Sequence, residues 1–187
     1  MERKGQAAWV RHCDAGVTLI ELLIALSLLA LLVMVGLPAM GSMLERSRVA
    51  TAATSMAVSL ANVRSRAVQT GRPHTLCPST RGLDCDPGAD WSTGWIVFAD
   101  RNHSGQREDP EVVADRVEGG TAPHVRIRTT QGRARLVFQP DGSAGGSNVT
   151  IEFCARGSAV DSARQLVVSN VGRARLVERP AVTQCNR

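Results

Sequence analysis

Six arginines of this 187-residue chain fall into three pairs spaced two apart: Arg126 and Arg128, Arg133 and Arg135, Arg173 and Arg175. Residues two apart on a β-strand point to the same face. Each pair therefore offers two permanent planar cations to one side, and a guanidinium fork suits phosphate oxygens. Two of the pairs sit in an identical stretch, GRARLV, at 132–137 and 172–177, with no longer repeat around either copy. If the three strands are neighbours, six guanidinium groups line one surface. Such a surface binds a phosphate backbone with little sequence preference and strong salt dependence. Aromatic residues make up only 3% of the chain, so stacking platforms for single strands are scarce and duplex DNA is the favoured ligand. The competing use of these arginines is pairing with acids of the same or a neighbouring subunit.

The charge distribution fits an anionic partner as well as a solvated face. Residues 72–124 hold five arginines against nine acids, a net charge of −4, and residues 125–187 hold ten against four, a net charge of +6. Lys4 is the only lysine.

Other chemistry is sparse. His74, His103 and His124 have no ligand-like spacing and no CxxC pair exists, which argues against zinc. Within Asp100–Glu111, the residues Asp100, Asn102, Ser104, Gly105 and Glu111 take positions one, three, five, six and twelve of a calcium loop. No helical pattern flanks it and Pro110 interrupts its end, so the expectation is a polar turn without metal. No nucleophile motif accompanies the histidines, and the chain reads as a non-enzyme without a cofactor.

One further acid stands out. Residues 17–37 are apolar apart from Glu21 and are long enough to cross a bilayer. The flank before them carries Arg3, Lys4 and Arg11. That charge places the N-terminus in the cytoplasm and the remainder beyond the inner membrane. A carboxylate in such a helix is costly unless paired, so Glu21 is a functional candidate.

These residues need elements to hold them. After Pro38, the residues Val49, Ala53, Met56, Leu60, Val63 and Ala67 recur at helical spacing. Gly71 and Pro73 stop the pattern. One helix over 17–70 would be roughly 80 Å long, with its second half buried against a folded body. Beyond it, strands are expected at 95–98, 125–128, 135–138, 149–153, 165–168 and 173–177. The expected organisation is a leader over 1–16, a membrane span over 17–37, an amphipathic helix over 38–71 and a β-rich domain over 72–187. The fold class is α+β, a long N-terminal helix on mainly antiparallel sheet. Cys13 lies in the leader. Cys77, Cys85, Cys154 and Cys185 make an even set in an oxidising compartment. Of their three possible pairings, Cys77–Cys85 and Cys154–Cys185 are favoured.

Gly16-Val17-Thr18-Leu19-Ile20-Glu21 resembles the prepilin cleavage and N-methylation signal of type IV pilins and pseudopilins, with Val17 where that signal usually has phenylalanine. The resemblance implies a type IV pilin-like fold, cleavage by a prepilin peptidase between Gly16 and Val17, and methylation of the new terminus. It also implies that Glu21 pairs with the terminal amine of a neighbouring subunit during filament assembly, and that other pilins or pseudopilins are partners. Trp91-Ser92-Thr93-Gly94-Trp95-Ile96-Val97-Phe98-Ala99-Asp100-Arg101-Asn102 is similar to a block of the GspH/FimT group, and Phe138–Gly142 and Ser169–Arg173 resemble its later strands. That group supplies minor pilins of type IV pili and minor pseudopilins of type II secretion. Its FimT-like members are implicated in DNA uptake through a C-terminal Gly-Arg-x-Arg motif, which Gly172-Arg173-Ala174-Arg175 matches. The resemblance therefore implies a FimT-like minor pilin acting in natural transformation. The alternative is a GspH-type pseudopilin that does not bind DNA.

Overall fold

The computed structural model describes residues 16–88, 90–118, 124–130, 133–146, 148–156 and 163–178. Residues 1–15 of the expected leader and Cys185 lie outside them. The chain divides into two compact units, residues 1–40 and 41–187.

The first unit holds the beginning of helix α1 (Leu19–Thr70), and the helix assignment is unbroken through Pro38. Gly16, Val17 and Thr18 precede it without regular secondary structure. Thr18 caps the helix, its Oγ1 accepting the Glu21 N–H at 3.3 Å, which uses a donor that the first turn cannot satisfy internally. The apolar side chains from Leu19 to Val35 are exposed. This stretch is apolar and long enough to cross a membrane.

The second unit is a helix on two four-stranded antiparallel sheets. The first sheet has the order β3 (Val113–Glu118), β2 (Gly94–Ala99), β1 (His74–Pro78), β5 (Leu136–Phe138). The second has the order β4 (Val125–Thr129), β6 (Val149–Ala155), β7 (Arg164–Val168), β8 (Ala174–Glu178). All six helix residues picked out by spacing are buried, at 1% exposure or less. They share one core with Leu76 and Val97 of the first sheet and Ile127, Ile151, Phe153 and Leu166 of the second. Burying each large aliphatic side chain contributes about 1.5–3 kcal/mol. Trp91 and Trp95 supply the aromatic bulk. The Trp95 Nε1–H donates to Ser59 Oγ at 3.0 Å and the Trp91 Nε1–H to the Arg133 carbonyl at 3.1 Å, so neither indole is left with a buried free donor.

Every expected strand is present within a residue or two, the segment expected at 135–138 running Leu136–Phe138. Two strands, β1 and β3, lie outside those expectations. The sequence of β1, HTLCP, is buried on both faces and shows no alternation. On its outer side Cys77, Ile96 and Phe98 form a second cluster, against which Cys85 and Val113 pack. Cys77 and Cys85 are disulfide-bonded, with a Cα–Cα distance of 5.5 Å. Cys154 is also disulfide-bonded. Its expected partner, Cys185, is outside the described residues.

Candidate functional site

The second sheet carries four of the six arginines on one face. Paired residues of an antiparallel ladder share a face. Arg128 pairs with Glu152, Glu152 with Gln165, and Gln165 with Val177. Arg126 and Arg175 have the same parity, and their neighbours Val125, Ile127 and Thr129 on β4 are buried in the opposite direction. Arg173 continues the alternation just before β8. However, β4 and β8 are the two edges of the sheet, three strand spacings or about 14 Å apart.

The strip between them is not a continuous cationic surface. Glu152 is 4% exposed and accepts the Gln165 Nε2–H at 2.9 Å. Beside it on β6, Cys154 is tied into its disulfide. At the β4 edge Asp90 pairs with Arg128 through an isolated antiparallel backbone β-bridge. Partial burial pushes the Asp90 carboxyl pKa up, but the hydrogen bonds from Ser92 and the charges of Arg128 and Arg156 outweigh this and hold it below its ordinary value. Arg128 thus faces a carboxylate that stays ionised.

At the β8 edge conditions differ. Arg173 and Arg175 are exposed. Arg107 pairs with Asp84 and Asp109, and among the described residues neither Arg173 nor Arg175 takes part in an ion pair.

The third pair does not join this face. Arg133 and Arg135 precede β5, which belongs to the first sheet. The Arg133 carbonyl accepts the Thr129 Oγ1–H at 2.7 Å as well as the Trp91 indole. The Arg135 guanidinium donates to the Ser104 carbonyl at 3.0 Å. The six-arginine surface is therefore corrected to a four-arginine face with two separated edges. The pairing pattern of strands decides this, and residue spacing within one strand does not carry it.

Gly172, the first residue of the Gly-Arg-x-Arg motif, has a structural task. Its N–H donates to the Ser169 carbonyl at 2.8 Å and its φ is 75°. A Cβ there would overlap the carbonyl oxygen of Gly142. Gly142 closes a turn of the same pattern, its N–H donating to the Gln139 carbonyl at 2.8 Å. The two turns are laced together by the Ala144 N–H donating to the Asn170 carbonyl at 2.8 Å. Arg64 of α1 seals the pair, its Nε donating to the Gly142 carbonyl at 2.9 Å and a terminal nitrogen to the Val171 carbonyl at 3.4 Å. Arg64 stands beside Val63, a residue of the buried stripe, and the sequence marks it only as a polar position off that stripe.

At the other end of the chain, Gly16 and Val17 are exposed and lie just before the helix cap, and Glu21 is on the exposed first turn.

A family model described as type II transport protein GspH matches residues 52–172. A model of the prokaryotic N-terminal methylation motif matches residues 11–37. No curated protein matches the chain. Among solved structures, the type IV minor pilin FimU of Pseudomonas aeruginosa (strain PAO1) is similar with a TM-score of 0.60 and 21% identity, over 75% of this chain and 96% of that one. The minor pseudopilin EpsH of the Vibrio cholerae type II secretion system is similar with a TM-score of 0.49 and 10% identity, over 74% of this chain and 99% of that one. The methylation motif sits at the start of an exposed apolar helix, and the GspH match spans the helix-on-two-sheets body; the chain belongs to the GspH family of minor pilins and pseudopilins, filament subunits of type IV pili or type II secretion systems and not enzymes.

Proposed function

We propose that this chain is a FimT-like minor pilin that binds duplex DNA at the β8 edge during DNA uptake. The observation that carries the reading is the state of Arg173 and Arg175. Both are exposed, Arg175 on the edge strand and Arg173 just before it, and neither has an ion-pair partner among the described residues. Arginines engaged in holding a fold are tied down, as Arg64 and Arg135 are. Two open guanidinium groups on one strand face suit consecutive phosphates. Arg126 and Arg128, on the same face, extend the positive field. Arg133 and Arg135 contribute charge from the first sheet without lining that face.

The remaining roles draw on the methylation-motif match over residues 11–37. Prepilin peptidase cuts between Gly16 and Val17, residues 17–37 anchor the chain in the inner membrane, and the β-rich body is periplasmic. Glu21 pairs with the terminal amine of a neighbouring subunit in the filament.

The test is fluorescence anisotropy of labelled duplex DNA against the full-length chain in detergent across a salt series. Changing Arg173 and Arg175 together to Gln should weaken binding uniformly across sequences. It should also reduce the slope of log affinity against log salt by about 1.8, at about 0.9 for each phosphate that is no longer neutralised. Absence of binding by the unmodified protein at physiological salt would sink the reading. A second reading, a GspH-type pseudopilin, draws on the apolar groups beside the arginines: Val171 is 66% exposed and Leu176 40%. It predicts that the same double variant leaves DNA behaviour unchanged and weakens binding to other minor pseudopilins.

A further inference from the structure

Strand β8 ends the second sheet, and among the described residues no strand lies on its far side. The register gives that open edge a definite pattern. The Ser169 N–H donates to the Arg173 carbonyl at 3.0 Å, so these two residues form a hydrogen-bonded pair where the ladder begins. Bonded and non-bonded pairs alternate along antiparallel strands. Val168 pairs with Ala174 next, and Leu166 with Leu176 two places on. Ala174 and Leu176 therefore hold non-bonded places, and their backbone N–H and C=O groups turn away from β7 to the open edge. Such a row of unpaired groups is a template for another strand.

The two faces of this edge ask for different chemistry. On the core side, Leu166 and Val168 of β7 are buried at 1% and 0% exposure and belong to the main core cluster. Their partners on β8, Leu176 and Ala174, share that face but are exposed. The apolar interior thus stops one strand short of the sheet edge. On the outer side stand Arg173 and Arg175, exposed and without an ion pair among the described residues. A strand laid along β8 meets both faces at once, because residues opposite each other share a face. Opposite Ala174 and Leu176 it needs apolar side chains, and opposite Arg173 and Arg175 it needs carboxylates. We propose that β8 is the docking edge for an extended segment of a neighbouring filament subunit, one in which acidic and apolar residues alternate.

Charge selects the occupant. Two copies of β8 laid side by side would set arginine against arginine, and like charges directly opposite destabilise a strand pair. The edge therefore rejects a second β8 and admits an acidic strand, which is specificity by repulsion as well as attraction. Backbone hydrogen bonds supply the affinity, and the alternating side chains supply the choice of partner. The inference draws on membership of a family of filament subunits and does not need DNA binding. It does bear on it, since a strand docked here occupies Arg173 and Arg175. Subunit and DNA then exclude one another at this edge.

The experiment is hydrogen exchange read by mass spectrometry on the full-length chain in maltoside detergent. The probe is an acetylated heptapeptide alternating valine and glutamate, with the valine–lysine peptide as control. The glutamate peptide should slow exchange in the segment holding Ala174 and Leu176 by about fivefold or more, and the lysine peptide should not. Leu176→Pro removes an outward N–H and no ladder bond, a change that edge strands tolerate. It should weaken the glutamate peptide by about tenfold or more and leave DNA affinity unchanged. Leu176→Ser alters a side chain that is 40% exposed; it should weaken the peptide several-fold even if Leu176→Pro does not fold. DNA held by the guanidinium groups should leave these amides exchanging as in the free chain, so either reading can fail without the other. No added protection at about 2 mM glutamate peptide, a concentration that detects even millimolar binding, overturns the proposal. Equal protection by the lysine peptide does so too.

Discussion

Within Gly172-Arg173-Ala174-Arg175, neighbouring residues serve different ends. Gly172 is fixed by the fold, through its φ of 75° and its close approach to the Gly142 carbonyl. The arginines beside it are exposed, with no ion pair among the described residues. Substitutions should therefore separate stability from ligand binding. Gly172→Ala places a side chain in a left-handed conformation and against backbone, where little can yield. It should destabilise the protein by about 2 kcal/mol or more. Arg173→Gln and Arg175→Gln should each stay within about 0.5 kcal/mol of the parent. Urea unfolding of the three variants distinguishes these outcomes. A neutral Gly172→Ala would mean that the two turns are not stacked.

At the level of elements, the legible and illegible parts of the fold divide along clear physical lines. The helix stripe from Val49 to Ala67 is readable because one face is buried and the other exposed, giving a period near 3.6. Strands such as β4 are readable for the same reason with a period of two, Val125 and Ile127 inward and Arg126 and Arg128 outward. β1 is not, because both of its faces are covered and alternation disappears. β3 is obscured because its sequence, VADRVE, mixes charge with apolar residues at the sheet edge. The arginine face is half legible. Spacing gives the parity of each pair, but the assignment of β5 to one sheet and β8 to the other depends on long-range pairing. Arg64 shows the same limit, since its partners Gly142 and Val171 are 78 and 107 residues away in sequence. It ties α1 to turns of both sheets, so Arg64→Ala should cost about 1–2 kcal/mol. Arg64→Lys should recover little, because a single ammonium lacks the fork that reaches two carbonyls. A urea midpoint for Arg64→Ala equal to the parent would show that the laced backbone hydrogen bonds hold the turns without it.

For the whole molecule, the decisive feature is that one helix serves two environments. Its residues from Val49 to Ala67 are core, whereas the apolar residues from Leu19 to Val35 are exposed. Apolar side chains exposed over five turns require lipid or neighbouring subunits in place of water. Among the described residues the core cluster begins at Val49. A chain beginning at Gly41 should therefore keep its whole core and shed only the segment that needs a membrane. Such a truncation should be soluble without detergent, melt within about 2 °C of the full-length chain, a shift worth about 0.5–1 kcal/mol, and retain the DNA affinity proposed for Arg173 and Arg175. Thermal melting followed by circular dichroism, with anisotropy on the same preparation, measures all three. Loss of cooperative melting in the truncated chain would mean that residues before Gly41 support the body. A retained fold with abolished DNA binding would move the binding surface away from β8 and toward the N-terminal segment.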